Sequence, residues 1–387
     1  MSWHTGQQQG HPFGHTRPLG VMGIAAFMAA NKPLMEHAAL QLMREMEKVP
    51  ADIDLMQFQA GVARYAAQNA RPEREEYPEI ARAGRMCLRD AGGEGKPIVL
   101  VPSMVNRGYI LDLHPEVSLV GHLRAQGMRV LLVDWGVPQA DALLTLEQVI
   151  ADGLEPMVRV AVARFGPVAL FGYCMGGLLA LAAAVRLNAT EDGTVIQRPV
   201  SKLAVAAMPW DFAQTVSAQH MQMAKPFLEP WLQANTLVPP EVMAHYFWSL
   251  DPWGPIRRTM AYARETDDGR LAQMTALEDW LGDGLALDGP VAREMLLDWY
   301  GANTPLNGQW VVRGVPIRPA DIAAPLWVCI TQKDILVPAA SSLPFIGQAK
   351  GAQVVMAETG HVGLVAGRHA REKLFEPLSL WLLQGAG

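Results

Sequence analysis

Short, continuous apolar segments alternate with helical segments along the chain from residue 97 onwards. Such segments are typical of strands buried on both faces, the pattern of a parallel sheet covered by helices. Before residue 210 we predict four such strands: residues 97–103, 129–135, 167–173 and 202–208. Helical spacing occupies residues 115–126 and 145–165, and another helix begins at Gly176. The chain is therefore predicted to be an α/β protein with a mostly parallel, doubly wound sheet.

The alternation stops between residues 210 and 320, where apolar spacing is helical and most of the tryptophans occur. Strand-like segments resume at 325–331 and 353–357, and a final helix is predicted over 372–383. A helical insertion between strands of one sheet is typical of a cap, although a second packed domain without a functional role would have the same pattern. We assign residues 96–209 and 321–387 to the core and residues 210–320 to a helical cap.

The first 95 residues differ from the rest of the chain. Residues 1–18 are polar and rich in His, Gln and Gly, so we predict a disordered tail. His4, His11 and His15 in this tail are interpreted as incidental rather than as metal ligands. Residues 19–95 are predicted to form a helical N-terminal region, because apolar residues recur at helical spacing between residues 31 and 72.

Composition excludes several classes of protein. Half of the 387 residues are hydrophobic and 18% are charged, so the chain can bury a large core. A net charge of −6 disfavours nucleic-acid binding. The three cysteines, Cys87, Cys174 and Cys329, fit neither a disulfide framework nor a zinc site, and we predict no metal and a reducing, cytoplasmic location. No secretory signal is recognised, and neither Val21–Ala30 nor the interrupted apolar segment 160–185 is predicted to span a membrane.

The segment Gly172-Tyr173-Cys174-Met175-Gly176-Gly177 follows a buried strand and opens a helix. It matches the G-x-nucleophile-x-G elbow, with cysteine in the nucleophile position. A helix N-terminus behind the thiol favours the thiolate form. Glycine-rich turns between strand and helix are common, but in this context we predict that Cys174 is a nucleophile. Cys87 and Cys329 lack such a context and are interpreted as structural.

An elbow nucleophile requires an acid and then a histidine further along the chain. Asp334 comes just after the predicted strand 325–331, and His361 just after the predicted strand 353–357. Each has an ordinary alternative, since Asp334 could cap a helix and His361 could be a loop histidine. Because the carboxyl ends of parallel strands meet at one edge, we predict that Cys174, Asp334 and His361 form a catalytic triad.

Attack of a Cys174 thiolate on an acyl carbonyl creates an oxyanion, which needs preorganised donors. We predict that the backbone N–H groups of Met175 and of Val105, in the loop Pro102–Arg107, form this oxyanion hole. Moving an acyl group from a thioester to a thiol changes the free energy little. The elbow cysteine therefore suits acyl-CoA chemistry as well as hydrolysis.

Several segments together resemble the polyhydroxyalkanoate synthases, especially the shorter class III and class IV catalytic subunits, over about residues 95–385. These segments are Met104–Leu113, Val133–Gly136, Gly172–Gly177, Asp334–Pro338 and Gly360–Gly363. The resemblance implies an alpha/beta-hydrolase fold and an acyltransferase that polymerises (R)-3-hydroxyacyl-CoA into polyhydroxyalkanoate, releasing CoA without a cofactor. It implies that Cys174 carries the chain and His361 is the base. Asp334 would either orient His361 or help to activate the incoming 3-hydroxyl.

The resemblance also implies partners: a second, separately encoded synthase subunit in a homo- or hetero-oligomer, and the surface of a polyester granule. An alternative is a hydrolase on the same fold, either a thioesterase or an intracellular polyhydroxyalkanoate depolymerase. Water and a hydroxyacyl hydroxyl attack the same acyl-enzyme, so the choice depends on how well the cap excludes water. A non-catalytic granule protein is the third possibility, and the complete triad argues against it.

Overall fold

The computed structural model describes residues 49–68, 74–189, 198–215 and 217–384. The predictions for the tail 1–18, and for helical spacing before residue 49, lie outside these residues. At the centre is an eight-stranded sheet in the order β1-β2-β4-β3-β5-β6-β7-β8. Its strands are β1 (Glu79–Ala83), β2 (Met86–Gly92), β3 (Pro97–Val101), β4 (Arg129–Asp134), β5 (Val168–Tyr173), β6 (Val200–Ala206), β7 (Leu326–Thr331) and β8 (Gln353–Ala357).

The six strands β3 to β8 are parallel to one another. Every residue of β3, β5 and β7 is buried, as continuous apolar segments predict. Ile98 and Leu100 of β3 pack into one hydrophobic core, whereas Val99 and Val101 pack into another. The sheet is therefore covered on both faces, and the predicted mostly parallel, doubly wound architecture is confirmed.

The helices fall into core and inserted groups. Those of the core before β6 are α2 (Leu119–Ala125), α3 (Leu146–Gln148), α4 (Glu155–Phe165) and α5 (Met175–Leu187), whereas α1 (Leu55–Ala66) packs against an inserted helix. Those between β6 and β7 are α6 (Ser217–Ala234), α7 (Pro240–Leu250), α8 (Gly254–Arg264), α9 (Asp268–Gly282) and α10 (Gly289–Arg293). After β7 come α11 (Ala339–Gln348), α12 (His361–Ala366) and α13 (Glu376–Leu383). Helices thus occupy most of residues 217–299, whereas residues 300–320, also predicted to be helical, form turns and a short hairpin in which Val311–Val312 pairs with Val315–Pro316. A role for the segment 210–320 as a cap stays a prediction.

The prediction of a helical N-terminal region over 19–95 is wrong for residues 79–92, which form the hairpin β1–β2. A two-residue turn joins Ala83 to Met86, and Gly84 at its first position has φ 59°. Only glycine adopts such a conformation readily, and it matches the tight turns of hairpins. The hairpin extends the sheet antiparallel to β4. Residues 55–66 are helical, as predicted.

Smaller differences concern where helices begin. The helix predicted from residue 115 starts at Leu119, because Ser118 caps it and residues 112–118 form a small hairpin. The helix predicted over 145–165 begins after Thr145, which forms a capping box with Gln148. A π-helical turn, Val149–Leu154, separates α3 from α4.

Candidate active site

Cys174 lies between β5 and α5 in a conformation that side chains seldom adopt, with φ 56° and ψ −127°. The backbone on either side fixes this turn. The Cys174 N–H donates to the Ala206 carbonyl at 2.9 Å, and the Cys174 carbonyl accepts from the Gly177 N–H at 2.9 Å. The elbow predicted from the sequence is therefore formed, with the thiol at the N-terminus of a thirteen-residue helix.

The glycines of the elbow are required by close packing. A Cβ on Gly172 would lie 2.5 Å from the Gly176 carbonyl oxygen, and one on Gly176 would lie 2.1 Å from the carbonyl oxygen of Val101. Real Cβ atoms essentially never come so close to another atom. The absence of side chains lets α5 approach β3 and β5 directly, and this contact positions Cys174 at the carboxyl edge of the sheet.

Asp334 lies in the turn after β7, and its side chain is fully buried. One carboxylate oxygen accepts the backbone N–H groups of Leu336 and Val337, at 2.9 and 2.8 Å. The other accepts the hydroxyl of Thr331 at 2.7 Å and faces His361 Nδ1 at 2.7 Å. Both oxygens therefore have two partners, which holds the carboxylate in a single orientation.

His361 is the first residue of α12, and only 11% of its side chain is exposed. Its Nδ1 lies 2.7 Å from the Asp334 carboxylate, and the imidazole also interacts electrostatically with Cys174. Because Nδ1 is occupied, Nε2 is the nitrogen that remains to accept a proton from the thiol. The three residues predicted to form a triad therefore follow strands of the same sheet, with His361 bound to Asp334, and their catalytic role stays a prediction.

Tyr173 supports the histidine from the elbow itself, a contact that the sequence analysis did not find. Its hydroxyl donates to the His361 carbonyl at 3.1 Å, and its ring lies 5.2 Å from the imidazole, centroid to centroid. Both contacts join residues that are 188 positions apart in the sequence. The only signal in the sequence is the position of an aromatic residue directly before the nucleophile.

The charges around His361 favour its protonated form. Burial acts to lower its pKa, but the negative charges of Cys174 and Asp334, with hydrogen bonds to both, raise the pKa of His361 to about 10 from 6.5. Burial acts to raise the pKa of Asp334, but His361 and the surrounding hydrogen bonds lower it below its ordinary value. This arrangement favours an imidazolium of His361 beside the ionised carboxylate of Asp334.

We expect the imidazole of His361 to remain protonated at pH 8 and to lose its proton near pH 10. The histidine resonances would be followed by NMR, with His361→Gln identifying the relevant signal. In Cys174→Ala the pKa of His361 should fall, because one of the two raising charges is gone. Titration near 6.5 in both proteins would contradict the ion pair. Since folding raises this pKa, its contribution to stability is complete below about pH 6.5 and disappears as the pH rises through about 10.

The two predicted oxyanion donors lie at the ends of adjacent elements. Met175 is the first residue of α5, where backbone N–H groups have no partner within the helix. The Val105 N–H donates to the Ser103 hydroxyl at 3.3 Å, a long contact for an N–H donor. The role of both groups in binding an oxyanion stays a prediction.

The other two cysteines lie in strands. Cys329 is in the middle of β7, where burial raises its pKa to about 12. Burial, followed by the charge of Asp134, raises the pKa of Cys87 in β2. A raised pKa keeps a thiol protonated and unreactive. Both residues therefore fit the structural role predicted for them.

The described ranges contain neither a candidate metal site nor a candidate membrane-spanning helix. No cluster of three or more His, Cys, Asp or Glu side chains suited to a metal ion is found there. Among the helices of the same ranges, none has both the length and the apolar character needed to cross a membrane. His4, His11 and His15 lie outside the described residues.

Comparison with known proteins identifies the fold family. The sequence profile of the alpha/beta hydrolase family matches residues 98–374, which include the elbow, Asp334 and His361. This chain belongs to the alpha/beta hydrolase family. The alpha/beta-hydrolase fold implied by the sequence resemblance is thereby confirmed.

Within that family, this alpha/beta hydrolase is similar to curated polymerases. It is 26% identical over 297 residues to the poly(3-hydroxyalkanoate) polymerase subunit PhaC of Haloferax mediterranei, covering 74% of this chain and 58% of that one. The proteins of the same name from Haloarcula marismortui and Allochromatium vinosum are 26% and 25% identical, covering 78% and 74% of this chain. The matches span 63% and 80% of those two relatives. The resemblance to the polyhydroxyalkanoate synthases is confirmed.

Proposed function

We propose that this alpha/beta hydrolase is a cysteine-dependent acyltransferase that polymerises (R)-3-hydroxyacyl-CoA into polyhydroxyalkanoate with release of CoA. The observation that carries the proposal is an elbow cysteine, Cys174, whose charge acts on a His361 that is held by the buried carboxylate of Asp334. The similarity to polymerase subunits supports the choice of substrate class.

In the first step the Cys174 thiolate attacks the thioester carbonyl, forming a carbon–sulfur bond as the carbonyl electrons move onto oxygen. The N–H groups of Met175 and Val105 would stabilise this oxyanion. Collapse of the intermediate breaks the bond to the CoA sulfur. The departing thiolate takes the proton of the His361 imidazolium and leaves as CoA, and an acyl-enzyme with a neutral imidazole remains.

In the second step the neutral imidazole removes the proton of a 3-hydroxyl from another hydroxyacyl group. The hydroxyl oxygen attacks the acyl-enzyme carbonyl, an ester bond forms, and the Cys174 thiolate leaves. The thiolate–imidazolium pair is then restored, and the chain is one unit longer. Attack by water at the same stage would release a free hydroxy acid instead, which is the hydrolase outcome.

For Asp334, the proposal selects one of the two roles left open by the sequence. Both of its carboxylate oxygens have partners, and its side chain has no exposed surface. A 3-hydroxyl could reach this carboxylate only by displacing one of them. We therefore propose that Asp334 orients His361 and stabilises the imidazolium, and that His361 alone activates the incoming hydroxyl.

Other parts of the sequence interpretation stay predictions. They are the second synthase subunit, the homo- or hetero-oligomer, the polyester granule surface and the cytoplasmic location. The mechanism proposed here uses acyl-CoA as a substrate and none of its steps calls on a cofactor.

Incubation of the purified chain with 3-hydroxybutyryl-CoA tests the proposal, with free thiol and the acyl product measured together. We expect CoA release accompanied by polymer, and neither in Cys174→Ala. CoA release with free 3-hydroxybutyrate as the only product would identify a thioesterase instead. If a folded protein whose Cys174 reacts with iodoacetamide releases no CoA, the proposal is contradicted for the chain acting alone.

A further inference from the structure

The loop between β3 and the turn Gly108–Leu111 contains Val105 and is held at its two ends by different parts of the protein. At its start, the indole N–H of Trp135 at the end of β4 donates to the Pro102 carbonyl at 3.1 Å. At its end, the contacts come from the inserted helical segment. The indole N–H of Trp280 in α9 donates to the Arg107 carbonyl at 2.7 Å.

Two further contacts join the end of this loop to the residues after α9. Asn106 forms an isolated antiparallel β-bridge with Gly284. Asp283, directly after the helix, accepts a hydrogen bond from Arg107 Nε at 2.8 Å and another from the Tyr109 hydroxyl at 3.1 Å. Each carboxylate oxygen of Asp283 therefore binds one residue of the core segment, Arg107 or Tyr109.

The backbone position of residues 106 and 107 determines where the Val105 N–H lies. Asn106 and Arg107 follow Val105 directly, so a shift of their backbone moves the Val105 N–H as well. The present partner of this N–H, Ser103 Oγ, is 3.3 Å away and provides only weak restraint. An oxyanion donor must lie about 2.7–3.1 Å from the charge that develops, so small displacements have large effects.

We propose that Asp283 is a positioning residue for acyl transfer, which holds the loop of Val105 in place from the inserted helical segment. The inference rests on the proposed function only for the oxyanion role of Val105. Asp283 acts through Arg107 and Tyr109 and does not touch the reacting atoms. Packing of α9 against the core therefore also brings the Val105 N–H into position, so this packing and the formation of the oxyanion hole are coupled.

Stability alone gives little reason for this contact. The side chains of Asp283 and Arg107 are 38% and 31% exposed, and ion pairs with this much exposure to water contribute little to stability. Removing the carboxylate should therefore leave the protein folded. Its main effect should be on the position of the loop.

Two reagents distinguish the effect of a misplaced loop from a change in the reactivity of the Cys174 thiol. p-Nitrophenyl acetate acylates Cys174 through a tetrahedral oxyanion, with p-nitrophenolate as the leaving group. Iodoacetamide alkylates the same thiolate by displacing iodide, and no oxyanion forms. We expect Asp283→Ala to slow acylation about 10-fold or more, because a donor to the oxyanion is misplaced. Alkylation should stay within about twofold of wild type, because the thiolate–imidazolium pair is untouched.

Glu278 provides a matched control on the same helix. Its carboxylate pairs with Arg258 at 2.9 Å, with side chains 25% and 40% exposed, and the ion pair lies within the inserted segment. Glu278→Ala should leave both rates unchanged, and Cys174→Ala gives the background of each. Equal losses in both reactions, or no loss of acylation, in Asp283→Ala would overturn the proposal. Because p-nitrophenyl acetate reports acylation of Cys174 directly, this result is independent of whether 3-hydroxybutyryl-CoA is a substrate.

Discussion

Replacement of Cys174 by alanine is expected to abolish CoA release from 3-hydroxybutyryl-CoA, with a loss of about 10⁴-fold or more. Without the sulfur no acyl-enzyme can form, and neither His361 nor Asp334 can replace it as nucleophile. The fold should be retained, because the glycines and the backbone hydrogen bonds of the elbow do not depend on the thiol. Turnover would be measured by thiol release, and the fold by circular dichroism and chemical denaturation.

The other cysteines supply the controls for this experiment. Cys87→Ser and Cys329→Ser should each retain turnover, since both thiols lie within strands and neither occupies an elbow. Burial of Cys329 makes its hydroxyl replacement somewhat destabilising, so turnover should be expressed per folded molecule. Full activity in Cys174→Ala, or its loss in a folded serine variant, would reject Cys174 as the nucleophile.

Asp334→Asn is expected to reduce turnover by about 10³- to 10⁴-fold while leaving Cys174 in place. The asparagine oxygen can still accept the N–H groups of Leu336 and Val337, so its NH₂ group must face Thr331 and His361 Nδ1. An NH₂ donor at Nδ1 favours the imidazole tautomer that carries its proton on Nε2. That tautomer cannot accept a proton from the thiol or from a hydroxyl substrate.

Asp288 offers a control for the loss of a buried carboxylate. It is fully buried, binds Arg85 and accepts the Leu144 N–H at 3.1 Å, and neither partner belongs to the predicted triad. Asp288→Asn should lower the free energy of unfolding but preserve turnover per folded molecule. Wild-type turnover in Asp334→Asn, or an equal loss in both variants, would argue against a tautomer-fixing role for Asp334.

The sheet and the predicted triad could be read from the sequence because both depend on strong local patterns. Strands such as β3 and β5 are apolar throughout, since both of their faces are buried. The hairpin β1–β2 was missed because β1 is an edge strand with charged residues at Glu79 and Arg82, which blurs the pattern. Gly84, in a two-residue turn between two strands, was the available signal.

The supporting contacts of the site could not be predicted in the same way. Asp334 and His361 follow strand ends, where topology alone predicts their proximity. Tyr173 reaches the His361 carbonyl, and Asp283 reaches Arg107 from 176 positions away. Such contacts depend on how the loops after the strands and the inserted helical segment pack against the core. No periodicity or spacing in the chain encodes them.

The backbone of Cys174 has a consequence for engineering this protein. Its φ of 56° and ψ of −127° lie in a backbone region that glycine adopts readily and in which other residues are strained. Glycine at position 174 would relieve that strain, and we expect it to be more stable than alanine there by about 1 kcal/mol. A selection for thermostable variants that scored folding alone would therefore favour loss of Cys174, the proposed nucleophile. Any such selection on this chain needs an activity filter at this one position.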